Sequence, residues 1–174
     1  MIKPTPAEIS AKLPGDEIIP KPDVVMDRAF TLAAAPEEVW PWFMQLGKNR
    51  AGWYFPRWVE LFILPRRRGL RHIDTSLQNL KVSKIIDDWG GKHGYFEVAD
   101  LKPPKILVHK STRGRLSMSW AIILCAEGTG TRVHIRLRMA PVKRVFLARA
   151  GGGLIDALTI VGLAAGLRER LSKS

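Results

Sequence analysis

Cysteine is almost absent from this chain: Cys125 is the only one in 174 residues. A single cysteine excludes an intrachain disulfide framework and, with it, the stapled secreted miniproteins. A reducing compartment is the matching expectation, and the apolar run around Cys125 makes it read as a small buried hydrophobe, not a nucleophile. The first 19 residues hold Pro4, Pro6 and Pro14 among scattered charges, without the continuous apolar stretch of a secretory leader. Long apolar runs are scarce as well. The most apolar stretch, residues 151–167, is interrupted by Asp156 and five glycines and followed by Arg168 and Arg170, which falls short of a membrane span. The expected location is the cytoplasm, with peripheral attachment to a membrane as a further option. Metal and nucleotide motifs are missing too. There is no cysteine pair, no His-x-x-x-His pair and no clustered carboxylate set. Gly151-Gly152-Gly153 lacks the Gly-Lys-Ser/Thr that would follow in a phosphate-binding loop. No metal and no cofactor is expected.

Acid is scarce in one part of the chain. Residues 101–174 carry 14 basic side chains against 3 acidic ones, whereas residues 1–50 carry 6 against 7 and residues 51–100 carry 8 against 6. The formal net charge is +12, so an anionic partner has to be considered, either nucleic acid or an anionic membrane surface. What is present in quantity is core-forming material. At 46% hydrophobic and 25% charged, the composition is that of an ordinary globular domain.

Periodicity divides the chain. Residues 1–22 are rich in proline and mixed charge and read as an arm on the surface of a single domain spanning residues 23–174. Residues 24–32 read as a first strand. Ala35-Pro36-Glu37-Glu38-Val39-Trp40 is a helix start, with proline in the first turn and two acids where the helix dipole favours them. Val39, Trp40, Phe43 and Leu46 continue at helical spacing until Gly47. A second short helix is expected over residues 56–64, followed by a basic loop of Arg66, Arg67, Arg68 and Arg71. Short strands are expected over 95–101 and 106–110. Longer ones over 116–124 and 131–139 are joined by Glu127-Gly128-Thr129-Gly130 as a hairpin. From Pro141 to Leu171 the pattern is helical, with a break at Gly151-Gly152-Gly153. The order predicts an α+β fold with a terminal helix on one face of an antiparallel sheet.

The hairpin has two unlike faces. Val133, Ile135, Leu137 and Met139 alternate with Arg132, His134, Arg136 and Arg138. The partner strand alternates Leu116, Met118, Trp120 and Ile122 with Arg115, Ser117, Ser119 and Ala121. Side chains two apart share a face, so both strands want the same side covered. The cationic side reads as solvated charge, since a nucleic-acid platform would interleave exposed aromatics and this face has none. The terminal helix is the candidate cover. Leu154, Ile155, Leu158, Val161, Leu163 and Leu167 leave little polar stripe, so it should be buried on most sides, by the short helices, a ligand, a partner subunit or a membrane. Gly162 and Gly166 suggest close approach of helix and sheet.

Several segments together resemble a known superfamily. Leu13-Pro14-Gly15-Asp16-Glu17, Asp27-Arg28-Ala29 leading to the Ala35–Trp40 element, Gln45-Leu46-Gly47, and Arg50-Ala51-Gly52-Trp53-Tyr54 are similar to the N-terminal half of bacterial SRPBCC proteins. These are the START-like, polyketide-cyclase-like helix-grip domains. The resemblance implies a curved antiparallel sheet gripping a long C-terminal helix around a cavity for a hydrophobic small molecule or lipid. It does not choose a chemistry: superfamily members bind or carry lipids, sterols or polyketides, and some are cyclases or aromatases.

On that expectation the cavity would be lined or entered by Gln45, Arg50, Trp53, Tyr54, Met118, Trp120, Ile135, Leu137 and Leu158. Gln45 and Arg50 would orient a polar head group, while the tryptophans and Tyr54 also suit plain helix-to-sheet packing. A cyclase would further need a proton donor or acceptor inside. His134 and Glu97 alternate to the outer face, His72 and His93 fall in loops, and His109 alternates against Ile106 and Val108 and so should point outward. No catalytic residue is assigned. The expected partner is a hydrophobic small molecule or lipid. A polyketide cyclase-like enzyme and a basic module for anionic membrane or nucleic acid remain as alternatives, nucleic acid the less favoured.

Overall fold

In the computed structural model, which describes residues 2–90 and 94–172, the chain runs through α1 (Pro6–Ser10), β1 (Val24–Leu32), α2 (Pro36–Gln45) and α3 (Arg57–Glu60). It continues through β2 (Ile85–Asp87), β3 (Tyr95–Lys102), β4 (Ile106–Arg113), β5 (Leu116–Glu127) and β6 (Gly130–Ala140). It ends in α4 (Val145–Leu147), a π-helical turn over Ala148–Gly152, and α5 (Gly153–Leu171), which together form one 27-residue helical stretch. The strands make one antiparallel sheet in the order β1-β6-β5-β4-β3-β2. The α+β helix-grip arrangement expected from the sequence is the one observed. Cys125 lies exposed near the end of β5, not buried, because it alternates against the core residue Leu124.

The inner face of the sheet carries Phe30, Leu107, Ile122, Leu124, Val133 and Ile135, all at most 1% exposed. Opposite them lie Val39 and Phe43 of α2 and Ile160, Leu163 and Leu167 of α5. Burying these side chains supplies the main drive for the fold, at about 1.5–3 kcal/mol for each large apolar group. α2 begins where the sequence predicts: Pro36 occupies the first turn, and the backbone N–H of Ala35 donates to the Glu38 carboxylate at 3.0 Å. At Gly162 and Gly166 the close neighbour of α5 is the chain after α2, not the sheet. A Cβ on Gly166 would stand 2.6 Å from the Tyr54 carbonyl oxygen, and one on Gly162 would meet the Phe55 ring.

The outer face departs from expectation: the cations of β6 are sealed under the N-terminal arm, not solvated. The five guanidinium N–H donors of Arg136 are all used, on Asp16, Asp27 and the carbonyls of Glu8, Ile9 and Ala11. Arg138 donates to the Ile19 carbonyl and pairs with Asp16 at 3.1 Å. His134 shares Asp27 with Arg136. Arg132 grips Glu8 through two 2.8 Å bonds, and this holds the Glu8 carboxyl at about 2, below the usual carboxylate range. Glu8 is also the reciprocal cap of α1: the Thr5 N–H donates to its carboxylate, and its own N–H donates to the Thr5 hydroxyl. Gly15, at φ +92°, lets the arm lie flat on the sheet, since a Cβ there would meet Val108 at 2.6 Å. An alternating Arg/apolar strand thus has both faces covered, because the arm brings carboxylates and free carbonyls to every guanidinium.

Candidate functional site

Between the inner sheet face and the first half of α5 lies a cavity of about 520 Å³. Its floor comes from the sheet: Met118 and Trp120 of β5, Leu137 of β6, His109 of β4 and Phe96 of β3. The register explains the grouping, since Trp120 faces His109 on one side and Leu137 on the other. Phe43 and Leu46 close one end, while Trp53, Phe55, Thr159 and Ile160 close the side toward α5.

The aromatic side chains form a continuous surface. Trp120 stacks on His109 at 5.3 Å and 26°, and on Trp53 at 6.2 Å and 23°. Phe96 packs against both Trp120 and His109, and Trp89 meets Trp53 edge-on. The Trp53 indole N–H donates to the Thr159 carbonyl, which fixes the ring against α5. Such a wall is rigid and apolar, and it presents broad faces to whatever enters.

Three polar features interrupt it. At the mouth, Arg113 pairs with Asp88 and lies over the Phe96 ring. Toward α5, Arg28 pairs with Asp156 at 2.9 Å; burial raises the Asp156 carboxyl and the Arg28 charge opposes that. In the floor is His109, 4% exposed, whose Nδ1 is buried and has no hydrogen-bond partner among the described residues. Burial pushes its imidazole down to about 4, the nearby Trp120 backbone acts the other way, and the Arg50 charge adds to the lowering. His109 is therefore a neutral imidazole at pH 7, able to donate or accept through Nδ1 according to its tautomer.

The residues singled out from the sequence separate into three groups. Trp53, Met118, Trp120 and Leu137 stand in the cavity wall. Ile135 is buried in the core beyond it, and Leu158 is 62% exposed on the opposite side of α5, pointing away. Gln45, Arg50 and Tyr54 instead hold the polypeptide around the cavity. The Gln45 side chain donates to the His72 carbonyl and accepts from the Asp74 N–H, fixing the 72–78 loop on α2. Arg50 donates to the carbonyls of Met44 and Leu77. The Tyr54 hydroxyl donates to the Trp42 carbonyl, and burial raises it well above the ordinary phenol range. His109 reverses its expected orientation. β4 is buried on both sides, with Leu107 and His109 inward and Val108 under the arm, so Val108 gives no guide to the inner face. Glu97 points outward and pairs with Lys110. His93 lies outside the described residues.

No family model matches the sequence, and no curated protein matches it. Solved structures do. A Rhodobacter sphaeroides protein is 15% identical, with a TM-score of 0.55 over 88% of this chain and 95% of its own. CalU16 from Micromonospora echinospora is 15% identical, with a TM-score of 0.52 over 86% of this chain and 79% of its own. Protein MLL2253 from Mesorhizobium loti is 14% identical, with a TM-score of 0.52 over 87% of this chain and 98% of its own. The chain shares the fold of these proteins, an antiparallel sheet packed against a long C-terminal helix in the helix-grip manner. In this chain the space between the sheet and the terminal helix is the aromatic chamber around His109.

Proposed function

We propose that this protein binds, and carries, a hydrophobic small molecule or lipid with one hydroxyl-type group in the cavity between sheet and α5. The observation that carries the reading is the otherwise apolar, aromatic-walled chamber of about 520 Å³ with the neutral imidazole of His109 in its floor. A ligand hydroxyl that hydrogen-bonds the edge of this imidazole would add about 0.5–1.5 kcal/mol. Burying about 300 Å² of ligand surface contributes roughly 7 kcal/mol before association costs, enough for micromolar affinity at best. Selectivity then rests on His109.

The test compares 2-naphthol with naphthalene by quenching of the cavity tryptophans, alongside native mass spectrometry of the purified protein for a co-purified apolar compound. The expected results are a co-purified compound and tighter binding of the naphthol, by up to about tenfold, with that preference lost in His109→Leu. No co-purified compound together with no response to either probe would sink the reading. If a bound 1,3-diketone exchanged its α-hydrogens through His109, a cyclase-like enzyme would replace the carrier. A base at about 4 is weak for that task, which is why binding stands first.

A further inference from the structure

Two segments each gather three large exposed apolar side chains. After α3 begins, Trp58, Leu61 and Phe62 are 67%, 72% and 87% exposed, and on the first half of α5, Leu154, Ile155 and Leu158 are 62%, 68% and 62% exposed. Both segments border the cavity: the first also sends Ile63 and Arg67 into its wall, the second Asp156 and Thr159. Soluble surfaces rarely gather this many large apolar groups without a partner. Cations flank each segment. Arg66, Arg67 and Arg68 stand exposed shortly after the first, and Lys143 and Arg144 stand exposed just before the helical stretch that carries the second. The acids within these stretches are already committed, Glu60 to Arg71 and Arg170, and Asp156 to Arg28.

We propose that the cavity mouth docks on an anionic membrane, inserting these two apolar segments while the flanking cations meet lipid head groups. Charge selects this occupant. A second copy related by two-fold symmetry would bring like cations together on both flanks. Nucleic acid would leave the apolar groups without a match. The terminal helix is long and apolar enough to cross a bilayer, but its second half is part of the core and ends in the buried Arg170–Glu60 pair. Shallow docking keeps that core, so the mode is interfacial. Docking goes beyond the cavity's proposed role and is independent of it: a chain that docks but binds no apolar compound would separate the two.

The test is co-sedimentation of the full chain with vesicles of phosphatidylcholine containing about 30% phosphatidylglycerol, against pure phosphatidylcholine. Binding should be strong on the anionic vesicles and weak on the neutral ones, and should fall when salt is raised to about 0.5 M. Trp58→Ser with Phe62→Ser should cut partitioning at least about tenfold, since each exposed ring that leaves water contributes of that order. Arg66→Gln and Lys143→Gln should each cost roughly fivefold. Unchanged circular dichroism in these variants would confirm that they fold. Equal binding to both vesicle types, or no loss in the Trp58 and Phe62 variant, would overturn the proposal. So would a solution dimer dispersed by Phe62→Ser with no vesicle binding, which would assign the patch to a second copy.

Discussion

The two halves of α5 have opposite surroundings. In the second half, Ile160, Leu163, Ala164 and Leu167 are at most 2% exposed, and Arg170 finishes the helix with every donor used, on the carbonyls of Phe55, Gly166, Leu70 and Gly69 and on Glu60. Its guanidinium also lies over the Tyr54 ring at 4.7 Å. In the first half, Leu154, Ile155 and Leu158 face outward, and the polar ties are Arg28 to Asp156 and to the Gly153 carbonyl. What separates them is the segment around Tyr54 and Phe55, which meets the helix at Gly162 and Gly166 and leaves the earlier turns uncovered. An apolar helix is therefore no guarantee of burial on most sides. Here one half makes the core and the other roofs a cavity.

The strongest way to break this contrast is to remove the anchor of the second half. Arg170→Ala deletes five hydrogen bonds and strips the buried Glu60 of one of its two cations, so a loss of about 3–5 kcal/mol is expected. Leu158→Ala, on the outward side of the first half, should change stability by no more than about 0.5 kcal/mol. Denaturant melts of the two variants check both numbers, and similar losses would show that the first half is packed after all.

His109 tests the cavity side of the same contrast. Its imidazole titrates at about 4 in the folded chain against 6.5 in the unfolded one. Between these values the unfolded chain takes up a proton that the folded chain refuses, so stability falls as pH drops from about 6.5 to about 4, by roughly 3 kcal/mol, and this contribution is flat below. His109→Leu should remove that slope in melting temperature against pH. Glu8 acts lower. Its carboxyl, held near 2 against 4.5, loses its stabilising effect only as pH falls through that lower window, and this loss should persist in the variant. An unaltered slope between about 4 and 6.5 would place His109 in contact with water.

Much of this fold is legible in the sequence. The first strand matches residue for residue at Val24–Leu32, and the hairpin of β5 and β6 follows from strict alternation and a turn at Gly128, whose φ is +58°. Three features are not legible, each for a physical reason. β2 is three residues long, too short to show a period. β4 is buried on both faces, so alternation could not orient His109, the residue at the centre of the site. The arginines of β6 look like a solvated face because alternation reports polarity, not what comes to cover it. The acids of the arm, Glu8 and Asp16, set against the acid-poor stretch that holds β6, are the trace of the arm's role. Gln45, Arg50 and Tyr54 were found as a group, but their polar atoms face carbonyls and N–H groups of the chain, and that distinction lies in three-dimensional contacts that residue type does not encode.

The smallest expected effect compares one substitution in both halves. A Cβ added at Gly153 meets nothing within 4 Å, and the backbone there is helical, so Gly153→Ala should gain about 0.5–1 kcal/mol by restricting the unfolded chain. The gain is realised only where the first turn of α5 is held in the folded state, which the bonds from Arg28 to Gly153 and Asp156 would do. At Gly166 the same methyl group would stand 2.6 Å from a backbone oxygen that cannot swing aside, so Gly166→Ala must push the helix off the Tyr54 segment and should lower stability. Melting temperatures that move in opposite directions would confirm that the first half is tethered yet open while the second is closely packed. A rise in both would mean that α5 can slide as a whole, and with it the wall of the cavity.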